Sequence, residues 1–567
     1  MSREIDRRTI LRSGVGLTAG MLLGGLAACG SDGGTTGSGT TPAGATGGTG
    51  TSPASSSGGS SPAAGSSTGV AGSSTAAASG GASAAGSSSS GAGAGKRGGT
   101  LRFGTAAGGT GDSPDPALAS RTMQLAIAAN CYDTLTVADQ DFNLKPGLAT
   151  EWEASSDATK WTFKLRPGVK FHDGSPLTSQ DVAYTFKRIL DPALTAKGLT
   201  QIQPYLTTSG IDASDPSTVV FTLTQPNAFL PVIVSGVTFS IVKDGSTDFS
   251  KGNGTGPFSI GAFDSAAKLG LTRFDGYWQD GLPYVDAVQY VVIAEDATRL
   301  QALMSGSQDI VDNITGASTT LLTGNAQPYM IKAGGWVGLT MFGDTAPYNN
   351  AKIIQAMQYA ADRKKIMGVV APGIDLITPD IPVPPTDPFF PAGLEPRAYD
   401  PDKAKALLKD AGMDPLKIDV YAYQGDKLDT VVSYKSGAQA AGIDINVQNV
   451  PHDTFFSDIF KKKPAIGISV ARLHVSQALP RLYSKAGDLN LTHFQNDKLD
   501  QLVAAAMASP DEAVQKRNFA DALTIVNDSA SNVIPGWEGQ VYGTGKNISG
   551  LNAVNGGQVY LSQVQIG

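Results

Sequence analysis

The residues of this chain that could do chemistry are few, and they form no catalytic or metal-binding pattern. The four histidines lie far apart, without metal-ligand spacing: His172, His452, His474 and His493. Cys29 and Cys131 occur in such different contexts that they predict no disulfide framework. No G-x-S-x-G string lies between a strand and a helix, as a nucleophile elbow requires, and H-E-x-x-H and paired cysteines are absent from the sequence. The sequence therefore predicts no catalysis, cofactor or metal, with a secreted hydrolase kept as an alternative.

The first 29 residues have the pattern of an export signal. The residues RRTILR (7–12) resemble a twin-arginine motif, and an apolar run follows over 14–28 that is short for a membrane span. The run ends in LAAC (26–29), which resembles a bacterial lipobox whose cysteine becomes lipid-modified after cleavage. We expect lipidation at Cys29 and an extracytoplasmic protein anchored to the outer face of the cell membrane, or a periplasmic one. A plain signal peptide and an uncleaved anchor stay open, as does general secretory export.

Residues 30–97 are predicted to be a disordered tether. They consist almost entirely of Gly, Ser, Thr, Ala and Pro, which bury too little apolar surface to offset the entropy of ordering. A random coil of this length spans roughly 45 Å on average. Such a tether keeps a folded body near a membrane, and a glycosylated stalk is compatible with the same composition.

Composition and charge exclude nucleic acid as a partner. The chain of 567 residues is too long for one ordinary core, its formal net charge is −7, and its pI is about 5.2. Lysine and arginine form only short clusters.

The sequence signals for strands, turns and helices are clearest over residues 148–190. Trp161, Phe163 and Leu165 alternate with polar residues, which predicts a half-buried strand. Turn signals follow at 167–168 and 172–174. Thr178 then predicts a helix cap answered by Asp181, with an apolar stripe along the helix and a stop at Asp191-Pro192.

The string WTFKLRPGVKFHDGSPLTSQDV (161–182) resembles the signature of the family 5 extracellular solute-binding proteins of ATP-driven importers. Further matches in the family's order are GGTLRFG (98–104), GTGPF (254–258), RFDGYW (273–278) and a D-R-x-x-I element (362–366). We interpret the charges of that last element as a solvated helix face within a predicted helix at 347–367. Cys131, in the matching NCYDTLT segment, is interpreted as a buried small hydrophobe.

The resemblance implies an α/β fold of the type II periplasmic-binding-protein class, with two lobes around a ligand cleft and a smaller third domain. Its implied boundaries are 98–138, 252–335 and 532–567 for a discontinuous domain I, 139–251 for domain II and 336–531 for domain III. Strands at 418–423 and 443–447 alternating with helices agree with an α/β lobe. The alternation also places Tyr421 and Tyr423 on a face directed away from the core.

The implied function is binding without turnover. A monomeric lipoprotein captures a small solute (a peptide, an oligosaccharide or an organic acid) and delivers it to the permease subunits of an ABC importer. A stalked cell-surface adhesin is a further alternative, although the body contains no repeats.

Aromatic walls with a few polar groups are typical of solute pockets. The family places contacts at the start of the first lobe, at the crossovers and after the last α/β helix. Our candidates for ligand contact are Tyr132, Trp336, Phe342, Tyr423, Arg472, His474 and Trp537. For each aromatic residue, a role in the core is the open alternative.

The segment 466–487 predicts an unusual cargo. In the family's peptide binders, an aspartate in the matching loop pairs with the peptide's free amine. Here the segment contains no Asp or Glu, and it contains Arg472. We therefore expect the segment to favour neutral or anionic groups, such as a carboxylate bound by Arg472. The alternative is an acid supplied from elsewhere, Asp453 or Asp488.

Overall fold

The computed structural model describes residues 96–567 apart from 107, 110–111, 315–316, 375 and 554–558. The export segment, Cys29 and the tether up to residue 95 lie outside the described residues. In the described part, no helix is both long and apolar enough to cross a bilayer.

The described residues form helices of very different lengths. The helices are α1 Thr122–Cys131, α2 Ser179–Leu190, α3 Leu199–Ile202, α4 Leu230–Ile233, α5 Asp296–Met304, α6 Ala351–Tyr359, α7 Arg363–Val370, α8 Pro401–Asp410, α9 Asp426–Ala438, α10 His452–Thr454, α11 Val475–Leu482, α12 Asp497–Ala508 and α13 Glu512–Ser529.

The strands are β1 Thr100–Thr105, β2 Thr136–Ala138, β3 Leu144–Pro146, β4 Ala149–Ala154, β5 Lys160–Leu165, β6 Leu206–Asp215, β7 Thr218–Leu223, β8 Phe258–Asp264, β9 Lys268–Arg273, β10 Ala287–Val292, β11 Ile310–Val311, β12 Ala326–Met341, β13 Leu416–Ala422, β14 Ile443–Asn449, β15 Ala465–Ala471, β16 Asn532–Gly545, β17 Ile548–Ser549, β18 Asn552–Ala553, β19 Val559–Tyr560 and β20 Gln565–Ile566. Ten of them form one mixed sheet in the order β14-β13-β15-β12-β16-β11-β1-β10-β9-β8. Four others form an antiparallel sheet in the order β4-β5-β7-β6.

The long antiparallel pair β12 and β16 lies in the middle of the large sheet. On one side β12 pairs with β15, and on the other β16 pairs with β11, which is followed by β1. The two strands therefore join the α/β half, with β13–β15, to the half that contains β1 and β8–β10.

The block at 148–190 folds as its sequence predicts. In β5 the residues Trp161, Phe163 and Leu165 are buried and Lys164 is exposed. Helix α2 begins with the predicted capping box. The Asp181 carboxylate accepts hydrogen bonds from the Thr178 backbone N–H (2.7 Å) and hydroxyl (2.9 Å). The helix ends at Leu190, before Asp191-Pro192.

The turn at His172 packs against the GTGPF turn. The two ring nitrogens of His172 lie 2.7 Å from the Gly252 carbonyl oxygen and 2.9 Å from that of Gly256. A side chain at Gly254 or Gly256 would collide with the backbone of Cys131, which is fully buried as the sequence predicts. Glycines therefore let this turn approach the end of α1 closely.

The expectation of a solvated helix face at 362–366 is wrong for Arg363. The predicted helix at 347–367 is interrupted between α6 and α7, and the interruption directs Arg363 inward. Its side chain, 3% exposed, donates hydrogen bonds to both oxygens of Asp380, at 2.9 and 2.7 Å. Asp380 lies in a proline-rich loop, residues 379–385, outside the helices, so helical periodicity could not reveal the pair.

Two further expectations are also wrong. The segment 466–487, which was matched to a loop of the family's peptide binders, is mostly regular structure, because β15 continues to residue 471 and α11 begins at residue 475. Tyr423 does not face away from the core: β13 ends at Ala422, and the tyrosine is buried against Phe455 and Phe456. In both places packing across elements overrides the local pattern.

Candidate functional site

Several candidate residues lie where neighbouring parallel strands end. Strands β13 and β14 are parallel, and β13 also pairs in parallel with β15. The three strands run in the same direction, but Tyr421 near the end of β13 lies beside Ile466 near the start of β15, so β15 continues past the end of β13. Tyr423 follows β13, and Arg472 follows β15 farther along the same direction. Ligands of open α/β sheets bind outside the carboxyl ends of the strands.

The crossover strands pass the same edge with an irregularity. Gly335 of β12 pairs with Ala471 of β15 on one side and with Glu538 of β16 on the other. Residues 332–334 bulge from the ladder, and within otherwise buried β16 only residues 538–540 are partly exposed. This part of the two strands is thus partly exposed.

Arg472 is a buried cation with unused hydrogen-bond donors. Its side chain is 5% exposed, Nε and Nη2 have no hydrogen-bond partner, and the nearest carboxylate oxygen, from Asp141, is 3.7 Å from Nη2. The guanidinium carbon lies 5.1 Å from the centroid of the Phe142 ring. Burial lowers the pKa of Arg472, partly offset by Asp387, whose own pKa burial raises to about 6.

His474 lies in an aromatic cage and caps α11. Its ring centroid is 5.1 Å from that of Phe142, 5.2 Å from that of Phe229 and 5.4 Å from that of Phe389. Burial and the neighbouring Arg472 lower the pKa of His474 to about 3, so the ring is neutral at physiological pH. Its Nδ1 accepts a hydrogen bond from the backbone N–H of Ser476. These contacts make His474 part of the wall beside Arg472.

Tyr423 borders a charged cluster that the sequence did not reveal. The Lys427 ammonium lies 5.3 Å from the centroid of the Tyr423 ring and donates to both oxygens of Asp426, at 2.6 and 2.9 Å. Burial lowers the pKa of Lys427, but the charges of Asp426, Tyr423 and Glu538 together outweigh burial, and the net pKa is above the ordinary value. Glu538 completes the cluster from β16, within reach of Asp426 and Ser469.

A small, partly open cavity of about 10 Å³, room for about one water molecule, adjoins this cluster. Its walls are mainly aromatic, and its polar groups come from α9 and β15. The lining residues are Tyr423, Lys427, Phe455, Phe456, Phe460, Gly467, Ile468 and Ser469.

The other candidates are buried in different places. Trp336 and Trp537 are cross-strand partners beside Gly335 and Glu538, and Nε1 of Trp537 has no hydrogen-bond partner. Tyr132 lies at the end of α1 in the core of the β1 half, and its hydroxyl also lacks a partner. Phe342 follows the other end of β12 and stacks on His493. The structure thus brings five candidates near the cleft edge and leaves Tyr132 and Phe342 apart; ligand contact remains a prediction for all seven.

Neither alternative acid considered from the sequence lies free at this edge. Asp488 accepts two hydrogen bonds from Arg481, at 3.0 and 2.9 Å. Asp453 is fully exposed and lies beside the ring of His452. Glu538 was missed because its neighbours come from strand register and no sequence spacing indicates them. In the described residues, no group of three or more His, Cys, Asp and Glu side chains is arranged to hold a metal.

Comparison with solved structures defines the fold. The substrate-binding protein CtaP of Listeria monocytogenes superposes with a TM-score of 0.73 at 21% identity, covering 83% of this chain and 100% of that one. The DppA periplasmic binding protein of Helicobacter pylori, in complex with the peptide STSA, superposes with a TM-score of 0.69 at 23% identity. The superposition covers 83% of this chain and 98% of that one. AgaA of A. tumefaciens R10, in complex with agropinic acid, superposes with a TM-score of 0.69 at 23% identity, covering 83% of this chain and 99% of that one. The fold is that of periplasmic binding proteins, which confirms the predicted α/β class.

The chain belongs to the bacterial extracellular solute-binding proteins, family 5, whose middle region it matches over residues 143–487. It is 30% identical over 315 residues to the glutathione-binding protein GsiB of Escherichia coli K12, covering 54% of this chain and 60% of the relative. GsiB of Shigella flexneri serotype 5b is 29% identical to this chain over 320 residues, which cover 54% of this chain and 61% of the relative. The chain thus matches about three fifths of the length of these curated relatives. The family predicted from the signature at 161–182 is confirmed, and it is one of solute-binding proteins.

Proposed function

We propose that this protein is the extracytoplasmic substrate-binding component of an ABC importer. It binds a small solute between two lobes and delivers it to the permease without turnover. Membership of the solute-binding family over 143–487 carries the proposal. The crossover pair β12 and β16, irregular and partly exposed at the cleft edge, supplies a place where the lobes can close on cargo. The hydrolase and adhesin alternatives gain no support from this family.

The proposed cargo is peptide-like or another small acid. Related proteins carry names that specify glutathione, a peptide and agropinic acid. In this chain, the free donors of Arg472 favour a carboxylate or carbonyl oxygen as a partner, because charge-assisted hydrogen bonds are stronger than those between neutral groups. Tyr423, His474, Trp336 and Trp537 would form the walls around it, with Tyr132 and Phe342 as more distant candidates.

The proposed lobes keep the boundaries expected from the sequence. Residues 98–138, 252–335 and 532–567 would form domain I, 139–251 domain II and 336–531 domain III. Contacts between domains II and III support a closed arrangement, including the hydrogen bond from Gln477 Nε2 to Gln201 Oε1 at 2.9 Å. A monomer suffices for this mechanism.

We expect binding to compact the protein without changing the cargo. A ligand that contacts both lobes favours the closed state by its differential affinity. Small-angle X-ray scattering with and without a ligand found by thermal-shift screening should show a smaller radius of gyration in the complex. Mass spectrometry of the recovered ligand should show no covalent change; a hydrolysed ligand, or binding without compaction, would contradict the proposal.

We propose that Cys29 is the mature N-terminal residue and carries lipid. The motif at 26–29 supports this, and a lipid chain contributes about 0.8 kcal/mol of membrane affinity per buried CH₂. Cys29→Ala should move the protein from the membrane to the soluble fraction on cell fractionation, while Cys131→Ala should leave its distribution unchanged. An unchanged membrane fraction for Cys29→Ala would exclude lipidation as the anchor.

A further inference from the structure

The tip of the β2–β3 hairpin contains an aromatic residue in an unfavourable backbone conformation. The loop closes around Asp139, whose carboxylate accepts hydrogen bonds from the backbone N–H groups of Asp141 and Asn143, both at 3.0 Å. Within this loop Phe142 has a φ of 62°, in the left-handed region that favours glycine and asparagine. The phenylalanine therefore strains the hairpin, and such strain persists only where other contacts of the residue offset it.

The ring of Phe142 makes its contacts outside the hairpin. The residue is only 6% exposed, and its ring centroid lies 5.1 Å from that of His474 in an edge-to-face arrangement. The guanidinium carbon of Arg472 lies at the same distance from the Phe142 centroid. Both geometries are attractive. Because Phe142 belongs to the proposed domain II and both partners belong to the proposed domain III, this ring connects the two domains.

A second segment of the proposed domain II contacts domain III at the same place. The ring centroid of Phe229 lies 5.2 Å from that of His474. The neighbouring backbone N–H of Ala228 donates a hydrogen bond to the Met507 carbonyl oxygen at 2.7 Å. Phe142, Phe229 and Met507 belong to one buried apolar cluster. All of these contacts join groups of the chain itself, so they form without a contribution from cargo.

We propose that Phe142 is an interdomain latch: the β2–β3 hairpin inserts its ring beside Arg472 and His474 and so stabilises the closed state independently of the cargo. The inference rests on the proposed function, because a latch requires lobes that open. It goes beyond that function by assigning part of the free energy of closure to the protein itself. The apparent affinity for cargo then depends on the fraction of molecules that the latch keeps closed.

The latch differs from a ligand contact in its effect on the empty protein. A residue that acts only by touching cargo has no influence on closure before cargo binds, whereas loss of the latch lowers the population of the closed state at once. Opening of the interface breaks the hydrogen bond from Ala228 to Met507 and exposes the Ala228 amide to water. Hydrogen exchange at this amide therefore reports opening in the absence of any ligand.

Hydrogen–deuterium exchange of the empty full chain, followed by mass spectrometry, tests the latch. Phe142→Asn removes the ring and introduces a residue that tolerates the left-handed conformation. We expect it to accelerate exchange at Ala228 about tenfold or more, the factor that corresponds to the burial of a phenylalanine side chain. The amides of β5 and β7, inside the smaller sheet of the same domain, should exchange as they do in the parent.

Thr195→Asn is the matched control. Thr195 also lies in the proposed domain II with a positive φ, 54°, but it is exposed. The substitution therefore relieves the same kind of backbone strain away from the buried interface, and exchange at Ala228 should stay unchanged. Phe142→Gly, which suits the same conformation without adding a polar group, is the second test variant and should accelerate exchange at Ala228 as Phe142→Asn does.

Three results would overturn the latch. They are unchanged exchange at Ala228 in both Phe142 variants, equal acceleration in Thr195→Asn, and faster exchange throughout β5 and β7, which would mean that Phe142 stabilises domain II itself. None of them bears on the binding of a solute. Absence of compaction on ligand binding would instead contradict the proposed function, and exchange in the empty protein would still show whether Phe142 holds the two domains together.

Discussion

Asp380→Asn should lower the free energy of unfolding by about 3–5 kcal/mol, because it leaves buried arginine charge without its partner. The Asp380 side chain is fully buried and accepts hydrogen bonds from Arg363, from Arg397 at 3.1 Å and from the backbone N–H of Ile534 at 2.7 Å. An asparagine has no charge and can accept through only one atom. Urea unfolding followed by tryptophan fluorescence measures the loss.

Asp528→Asn is the matched control for this prediction. Asp528 pairs with the same Arg397, at 3.2 Å, but its side chain is 59% exposed. Exposed pairs contribute about 0–1 kcal/mol, so the control should change stability little. Arg363→Lys should lose part of the stability, since one ammonium cannot replace both the Nη2 contact with Asp380 and the Nη1 hydrogen bonds to the Gln358 and Arg397 carbonyl oxygens. Equal losses for Asp380→Asn and Asp528→Asn would contradict a dominant buried pair.

Arg472→Met should weaken the binding of a carboxylate cargo by about a hundredfold while leaving the stability of the empty protein nearly unchanged. In the empty protein, Nε and Nη2 of Arg472 donate no hydrogen bond, so their removal costs the fold little. In the complex, the same donors would bind the carboxylate. Calorimetry with one tripeptide in four forms, free or acetylated at the N-terminus and free or amidated at the C-terminus, measures the effect.

Arg481→Met is the control for Arg472→Met, and its effects on stability and affinity should be the reverse. Arg481 already donates two hydrogen bonds to Asp488, so its removal should reduce stability and leave affinity unchanged. The parent should bind the acid forms of the tripeptide more tightly than the amides, and Arg472→Met should remove that preference. Equal affinity of the parent for acids and amides would contradict a carboxylate contact at Arg472.

Local elements could be predicted because their signals lie within a few residues. The capping box of α2 needs only Thr178 and Asp181, three positions apart. Helix α8 begins after Asp400 with Pro401 in its first turn and is followed by Gly412 at φ 70°, so its start and stop signals also lie close to its ends. The family signature at 161–182 likewise lies within one hairpin and one helix, and so it identified the fold class.

The site could be predicted only in part. Arg472 was selected as a charged residue in a segment without acids, but its burial depends on Phe142 and on elements far away in sequence. Glu538 carries no local signal, because its neighbours Asp426 and Ser469 come from another helix and another strand. Arg363 was assigned to solvent for the same reason: its partner Asp380 comes from a separate loop.

The sequence by itself determined the family, the α/β class and individual elements such as β5, α2, β13 and β14, because these depend on periodicity, caps and turn residues close together in the chain. Only the tertiary structure decided which charges are buried and which meet at the cleft. The reason is physical: the free energy of a buried charge depends on its partners and on the loss of water, and both are set by register across β15, β12 and β16. A single strand shift would separate Glu538 from Ser469 while leaving every local signal intact.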